Sequence, residues 1–213
     1  MCRSSVALVL AILACVSGPA LAASRIIVAF GDSLTAGLGI APDDAYPALL
    51  EARLAREGYD YRVVNAGVSG DTSAGGRRRI DWVLKDAPEI VIVALGANDG
   101  LRGLPPTALY DNLLAIVQRA RRGGAKVLLA GMRVPPNYGA DYTQAFARVF
   151  PDVSRAAGVP LMPFLLEGVA GEARLNLADG IHPNVEGQRR IAEHLWPHLQ
   201  PLLTKVAARP RAL

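Results

Sequence analysis

Ser33 stands in Gly31-Asp32-Ser33-Leu34-Thr35, directly after the apolar run Ile26 to Phe30. A serine hydroxyl at the end of a buried strand can attack an acyl carbon if a base takes its proton and N–H donors meet the oxyanion that forms. The chain has three histidines. His182 lies in Asp179-Gly180-Ile181-His182-Pro183, where Gly180 permits a tight turn. Through that turn Asp179 could fold back onto Nδ1 and leave Nε2 to face Ser33. Asn98, in Gly96-Ala97-Asn98-Asp99-Gly100, could donate its side-chain amide to an oxyanion. Gly70, in the small-residue loop Ala66 to Ser73, could donate its main-chain N–H.

Each piece has an ordinary alternative: Asp32 and Ser33 cap a helix, Asn98 turns the chain, Gly70 holds a positive φ, and Asp179 caps a helix beside an exposed imidazole. The G-x-S-x-G elbow of α/β-hydrolases is excluded, because Thr35 occupies its second glycine position. His194 and His198 have a spacing that could hold a metal, but no acidic or cysteine partner is evident. No metal and no other cofactor is expected.

These residues can meet only if strands bring them to one edge. Ile26–Phe30, Tyr61–Asn65, Ile90–Leu95, Lys126–Ala130 and Val159–Phe164 read as five short apolar strands. Between and after them, Tyr46–Arg56, Gly76–Lys85, Ala108–Arg122, Tyr142–Ala157 (despite Pro151) and Glu186–Leu203 (kinked at Pro197) read as helices. Regular β–α alternation predicts a parallel sheet covered on both faces, with ligands at the carboxyl ends of the strands. Three of the polar, glycine-flanked segments follow the first three strands. The segment Asp99 to Pro106 alternates Gly100 and Gly103 with Leu101 and Leu104, and is expected to fold over an acyl chain as a hinged loop.

Length and composition bound the rest. A chain of 213 residues, 51% of them hydrophobic, suits one domain with one large core. Arg3, the apolar run Val6 to Ala14 and Ala20-Leu21-Ala22 together read as a secretory signal peptide over residues 1–22, which predicts a periplasmic or secreted domain over 23–213. Both cysteines, Cys2 and Cys15, fall in that leader, so the exported chain would have no disulfide; lipidation at Cys15 is the alternative to cleavage near Ala22. A net charge of +4 without interleaved aromatics excludes a nucleic-acid partner. The apolar run is short and broken by Ser17-Gly18-Pro19, which argues against an uncleaved anchor; no stable membrane insertion is expected after leader removal, and a monomer is expected. Arg77-Arg78-Arg79 reads as the solvated start of a helix.

Taken together, the four segments resemble the signature blocks of the SGNH, or GDSL, hydrolase family: Gly31-Asp32-Ser33-Leu34, Asn65-Ala66-Gly67-Val68-Ser69-Gly70, Gly96-Ala97-Asn98-Asp99 and Asp179-Gly180-Ile181-His182-Pro183, in that order. The match is nearest to the exported bacterial branch of acyl-thioesterases, lysophospholipases and arylesterases, also through Asn98-Asp99-Gly100-Leu101-Arg102-Gly103 and Pro136-Asn137-Tyr138-Gly139. The resemblance implies a three-layer, flavodoxin-like α/β/α sandwich around five parallel strands. It also implies Ser33 as nucleophile, His182 as general base and acid, and Asp179 as its orienting partner. Ser33 N–H, Gly70 N–H and the Asn98 amide would form the oxyanion hole, with a small acyl ester or thioester as substrate. A carbohydrate O-acetylesterase and a non-catalytic exported binding protein are the competing readings.

Overall fold

The computed structural model describes residues 25–205; the segment expected to be a leader, both cysteines and the last eight residues lie outside this range. Five parallel strands form one sheet: β1 (Arg25–Gly31), β2 (Tyr61–Gly67), β3 (Ile90–Ala94), β4 (Lys126–Ala130) and β5 (Leu161–Met162). Their spatial order is β2-β1-β3-β4-β5. Every β3 residue from Ile90 to Ala94 is buried, as expected of a central strand with helices on both faces. The long helices are α2 (Tyr46–Arg56), α3 (Ser73–Val83), α5 (Pro106–Arg122), α6 (Ala140–Ala157) and α7 (Val185–Leu199). α2 packs on α7, while α3, α5 and α6 pack in a row, which makes the two outer layers of an α/β/α sandwich. No helix among the described residues is long and apolar enough to cross a membrane.

Two short helices stand where loops were expected. α1 (Ser33–Ala36) begins at the candidate nucleophile, and α4 (Ala97–Leu101) carries Asn98 in its first turn. α1 forms because Asp32 caps it, its carboxylate accepting from Leu34 N–H at 3.0 Å. The helix then lies so close to the strand end that a Cβ on Gly31 would fall 2.0 Å from Thr35 Oγ1, so no other residue fits at that position. α3 starts at Ser73, three residues earlier than periodicity indicated, because Thr72 caps it by accepting from Gly75 N–H.

β5 is shorter than the apolar run around it. Pro160 and Pro163 flank its two residues and have no N–H to give a ladder, so pairing is confined to Leu129 with Leu161 and Ala130 with Met162. α7 ends at Leu199 and passes into a 3₁₀ turn at Gln200–Leu202. Between β5 and α7, an isolated bridge of Asn176 with Pro183 and the bond from Leu177 N–H to His182 carbonyl (2.7 Å) close a small loop. That loop holds Asp179 through His182.

Candidate active site

The parallel register delivers Gly31, Gly67 and Ala94 to one edge, since Gly31 pairs with both of the others. Ser33, the Gly70 loop and Asn98 follow directly. The loop after β5 brings in His182 across the same edge, 149 residues further along the chain, with Nε2 2.9 Å from Ser33 Oγ. His182 Nδ1 lies 2.7 Å from Asp179 Oδ2. The other carboxylate oxygen accepts from Ile181 N–H (2.9 Å) and His182 N–H (3.0 Å), which sets the turn that carries the imidazole.

The hydrogen bonds decide the tautomer. Donation from His182 N–H and the imidazole, with Ile181 N–H beside them, holds the Asp179 carboxyl down at about 2. An ionised carboxylate offers only acceptors, so Nδ1 must donate to it. In the neutral ring Nε2 is then an acceptor and takes the Ser33 hydroxyl proton. This arrangement can activate Ser33 as a nucleophile and return the proton to a leaving group.

Three candidate donors stand on this edge. Gly70 adopts φ +80, a left-handed conformation that a side chain would strain. Among the described residues, neither the Ser33 nor the Gly70 N–H meets a protein acceptor; Ser33 is the first residue of α1, where helical partners do not exist. Asn98 Nδ2 donates to the Asp71 carbonyl at 3.0 Å, and a longer contact of 3.4 Å joins it to Asp32 Oδ2. The first bond fixes which way the amide points. The second is long enough for a stronger acceptor to replace it.

Arg79 holds this half of the site together. Its Nε bonds Asp71 at 2.7 Å, and its two terminal nitrogens donate to the carbonyls of Ala66 and Gly31 at 2.8 Å each. The guanidinium lies 4.2 Å from the centre of the Phe30 ring. The solvated arginine run therefore holds for Arg77 and Arg78, which are exposed, but not for Arg79. Nothing in a triplet of like residues distinguishes the third; only the helix phase of α3 turns it inward. Asp99, next to Asn98, accepts from Ser73 N–H (2.8 Å) and Ser73 Oγ (2.6 Å) and so ties α4 to α3.

Beside Ser33 and His182 opens a cavity of about 360 Å³ lined by Leu34, Leu101, Met132, Val134, Phe164 and Leu166 among others. Four of these six escaped sequence reading. Met132 and Val134 follow β4, and Phe164 and Leu166 follow β5, so the rule that sites form beyond strand ends could have found them. Leu101 lines the cavity. Leu104, expected beside it, does not: α4 ends at Leu101, the chain turns through Arg102 and Gly103, and Leu104 is held by its N–H on Asp99 carbonyl and its carbonyl on Tyr142 OH. With Tyr138 OH also on the Leu101 carbonyl, the segment is hydrogen-bonded to the turn and helix that follow β4.

Asp32 was read only as a cap, and its burial adds a second property. The carboxyl is fully buried, and desolvation pushes it from 3.8 up to about 6, against the Leu34 N–H bond that favours the anion. A raised native value means that the folded chain binds the proton more tightly than the unfolded one. This contribution to stability is present in full below about pH 4 and is lost as pH rises to about 6. Asp32→Asn keeps the cap oxygen and cannot ionise. Its stability relative to the parent should therefore improve by about 2–3 kcal/mol between pH 3.5 and 7, read from urea unfolding at each pH. A pH-independent difference between the two would contradict this.

Residues 29–190 match the model of the GDSL-like lipase/acylhydrolase family. The chain belongs to that family. Relatives within it include the esterase TesA of Pseudomonas aeruginosa, 50% identical over 85% of this chain and 91% of that protein. The thioesterase 1/protease 1/lysophospholipase L1 of Escherichia coli is 40% identical over 85% of this chain and 86% of its own length. Among solved structures, a crystal structure of TesA superposes with a TM-score of 0.82 at 50% identity, covering 84% of this chain and all of the other. The sandwich is thus the SGNH hydrolase architecture, and family membership makes this chain a serine hydrolase of the esterase class.

Proposed function

We propose that this chain is an exported serine hydrolase that cleaves acyl esters and thioesters, with aryl esters, acyl-CoA and lysophospholipids as substrates. One observation carries the reading: Ser33 Oγ lies 2.9 Å from His182 Nε2, and both open onto a cavity walled by apolar side chains. Ser33 attacks the carbonyl carbon as His182 takes its proton; the N–H groups of Ser33 and Gly70 and the Asn98 amide receive the negative oxygen. The intermediate collapses, the C–O or C–S bond breaks, and His182 protonates the departing alcohol or thiol. Water then repeats the sequence on the acyl-serine, freeing the acid. The names borne by the relatives, an esterase and a thioesterase with lysophospholipase activity, agree with this substrate range. The leader over residues 1–22 supports export to the periplasm or medium.

The test is hydrolysis of p-nitrophenyl esters from acetate to dodecanoate, together with labelling by a fluorophosphonate. Turnover and labelling are expected in the parent chain; Ser33→Ala should lose labelling and keep only a trace of the parent turnover. Rates should favour acyl groups longer than acetyl, because the cavity wall is apolar and would gain from each methylene placed against it. Acetyl-only turnover would instead support the sugar O-acetylesterase, and an unlabelled, folded, inactive protein would support a binding role.

Leu101→Ala should shift the ratio of dodecanoate to butyrate hydrolysis by roughly fivefold, the worth of about 1 kcal/mol of lost apolar contact. Leu104→Ala should leave that ratio alone. Equal shifts from both variants would mean that the segment closes over the chain as a unit.

A further inference from the structure

Five large apolar side chains among the described residues are substantially exposed, and four of them belong to one edge of the molecule: Leu38 (46%), Val68 (48%), Leu101 (43%) and Ile181 (48%). Each sits on a different segment beyond the carboxyl ends of the strands. Leu38 follows α1, with its N–H on the Ser33 carbonyl, and Val68 follows β2, with its N–H on the Gly31 carbonyl. Leu101 ends α4, and Ile181 lies in the turn between Asp179 and His182.

The segments touch in two pairs. Arg102 donates to the Gly70 carbonyl at 2.9 Å, joining the Leu101 end to the Val68 loop. Gly39 abuts the Leu177 side chain, so closely that a Cβ there would stand 2.6 Å from Cδ1, which joins the Leu38 segment to the loop bearing Ile181. Leu101 and Ile181 also line the cavity, but Leu38 and Val68 do not. Neither catalysis nor the core accounts for those two.

We propose that this rim seats the enzyme on a zwitterionic phospholipid surface, with the four side chains entering the interfacial layer and the cavity mouth facing the lipid. Isolated apolar tips on separate loops suit shallow insertion into a fluid interface better than they suit a shaped protein groove. The cavity opens among them, so an acyl chain leaving the surface reaches it without crossing water. The charges on this edge are mixed: exposed Arg102 and Arg133 stand with Asp43, Asp44, Glu167 and Asp179, and Arg133 lies 3.8 Å from Glu167. With two cations against four carboxylates, this edge has no pull toward an anionic surface, which favours a zwitterionic one. The proposal rests on the esterase reading only for what the docked enzyme does there.

The test measures co-sedimentation of the mature chain with vesicles of diether phosphatidylcholine, which contains no ester for the enzyme to cut. The parent should bind, and the Leu38→Ser/Val68→Ser double variant should need about tenfold more lipid for half-binding while hydrolysing soluble p-nitrophenyl butyrate at the parent rate. Leu38→Trp gives the converse readout, with tighter binding and tryptophan emission that shifts to the blue on vesicles. It also covers the case of a double variant that does not fold. Absence of binding by the parent, equal binding by parent and double variant, or binding that requires phosphatidylglycerol and vanishes in salt would each overturn the proposal. So would a parent dimer that the double variant loses in sedimentation velocity, since the rim would then join two copies. If the parent binds vesicles but hydrolyses no ester, the rim stands and the esterase reading falls.

Discussion

Ser33→Ala and His182→Ala should each lower kcat toward p-nitrophenyl butyrate by about a millionfold, and the double variant should be no slower than either single one. The 2.9 Å contact between Oγ and Nε2 makes the two groups one device: a hydroxyl without its base is a weak nucleophile, and a base without its hydroxyl has nothing to activate. Residual turnover above the uncatalysed rate, about a thousandfold or more, should survive in all three because the oxyanion donors and the cavity remain. Single-turnover rates, with active-site titration to exclude traces of parent enzyme, measure this. Additive losses would show that Ser33 and His182 act independently and would sink the proposed mechanism.

Asp179→Asn should cost about ten-thousandfold in kcat with KM nearly unchanged. Asn can keep the oxygen that accepts from Ile181 and His182 N–H, so the turn should survive. Its amide nitrogen then faces Nδ1 as a donor, which forces Nδ1 to accept and moves the ring proton to Nε2. A protonated Nε2 cannot take the proton of Ser33. The substrate cavity is untouched, because Asp179 is not in its wall. Titration adds a check on the parent. With the Asp179 carboxyl held at about 2, acid inactivation above pH 3 cannot come from neutralising this residue. A loss in Asp179→Asn of under tenfold would mean that orientation, which Asn preserves, matters more than tautomer.

Much of the fold was legible in the chain because strands buried on both faces are continuous apolar runs. Ile90 to Ala94 could be read directly, and the glycine-flanked polar residues after the first three strands marked the edge where a site forms. The two one-turn helices were not legible. Asp32 could be read as a cap but Gly96 looks like a turn residue, and four or five residues are too few to show a helical period. β5 was overestimated because apolarity was visible while the ladder bonds denied by Pro160 and Pro163 were not.

Ser33, Asn98, Asp179 and His182 could be singled out as candidates from residue type and neighbours, since the chemistry of a serine, an amide and an imidazole–carboxylate pair is local to each segment. Their meeting depends on parallel pairing and on a loop that closes over 149 residues, a contact whose partners share no local signal. The same holds for Arg79, for Leu104 outside the cavity and for the walls at Met132, Val134, Phe164 and Leu166. Which of three adjacent arginines turns inward, and which of two leucines lines the cavity, follows from helix phase and chain path. Those are set by packing over the whole molecule, and no stretch of the chain carries them alone.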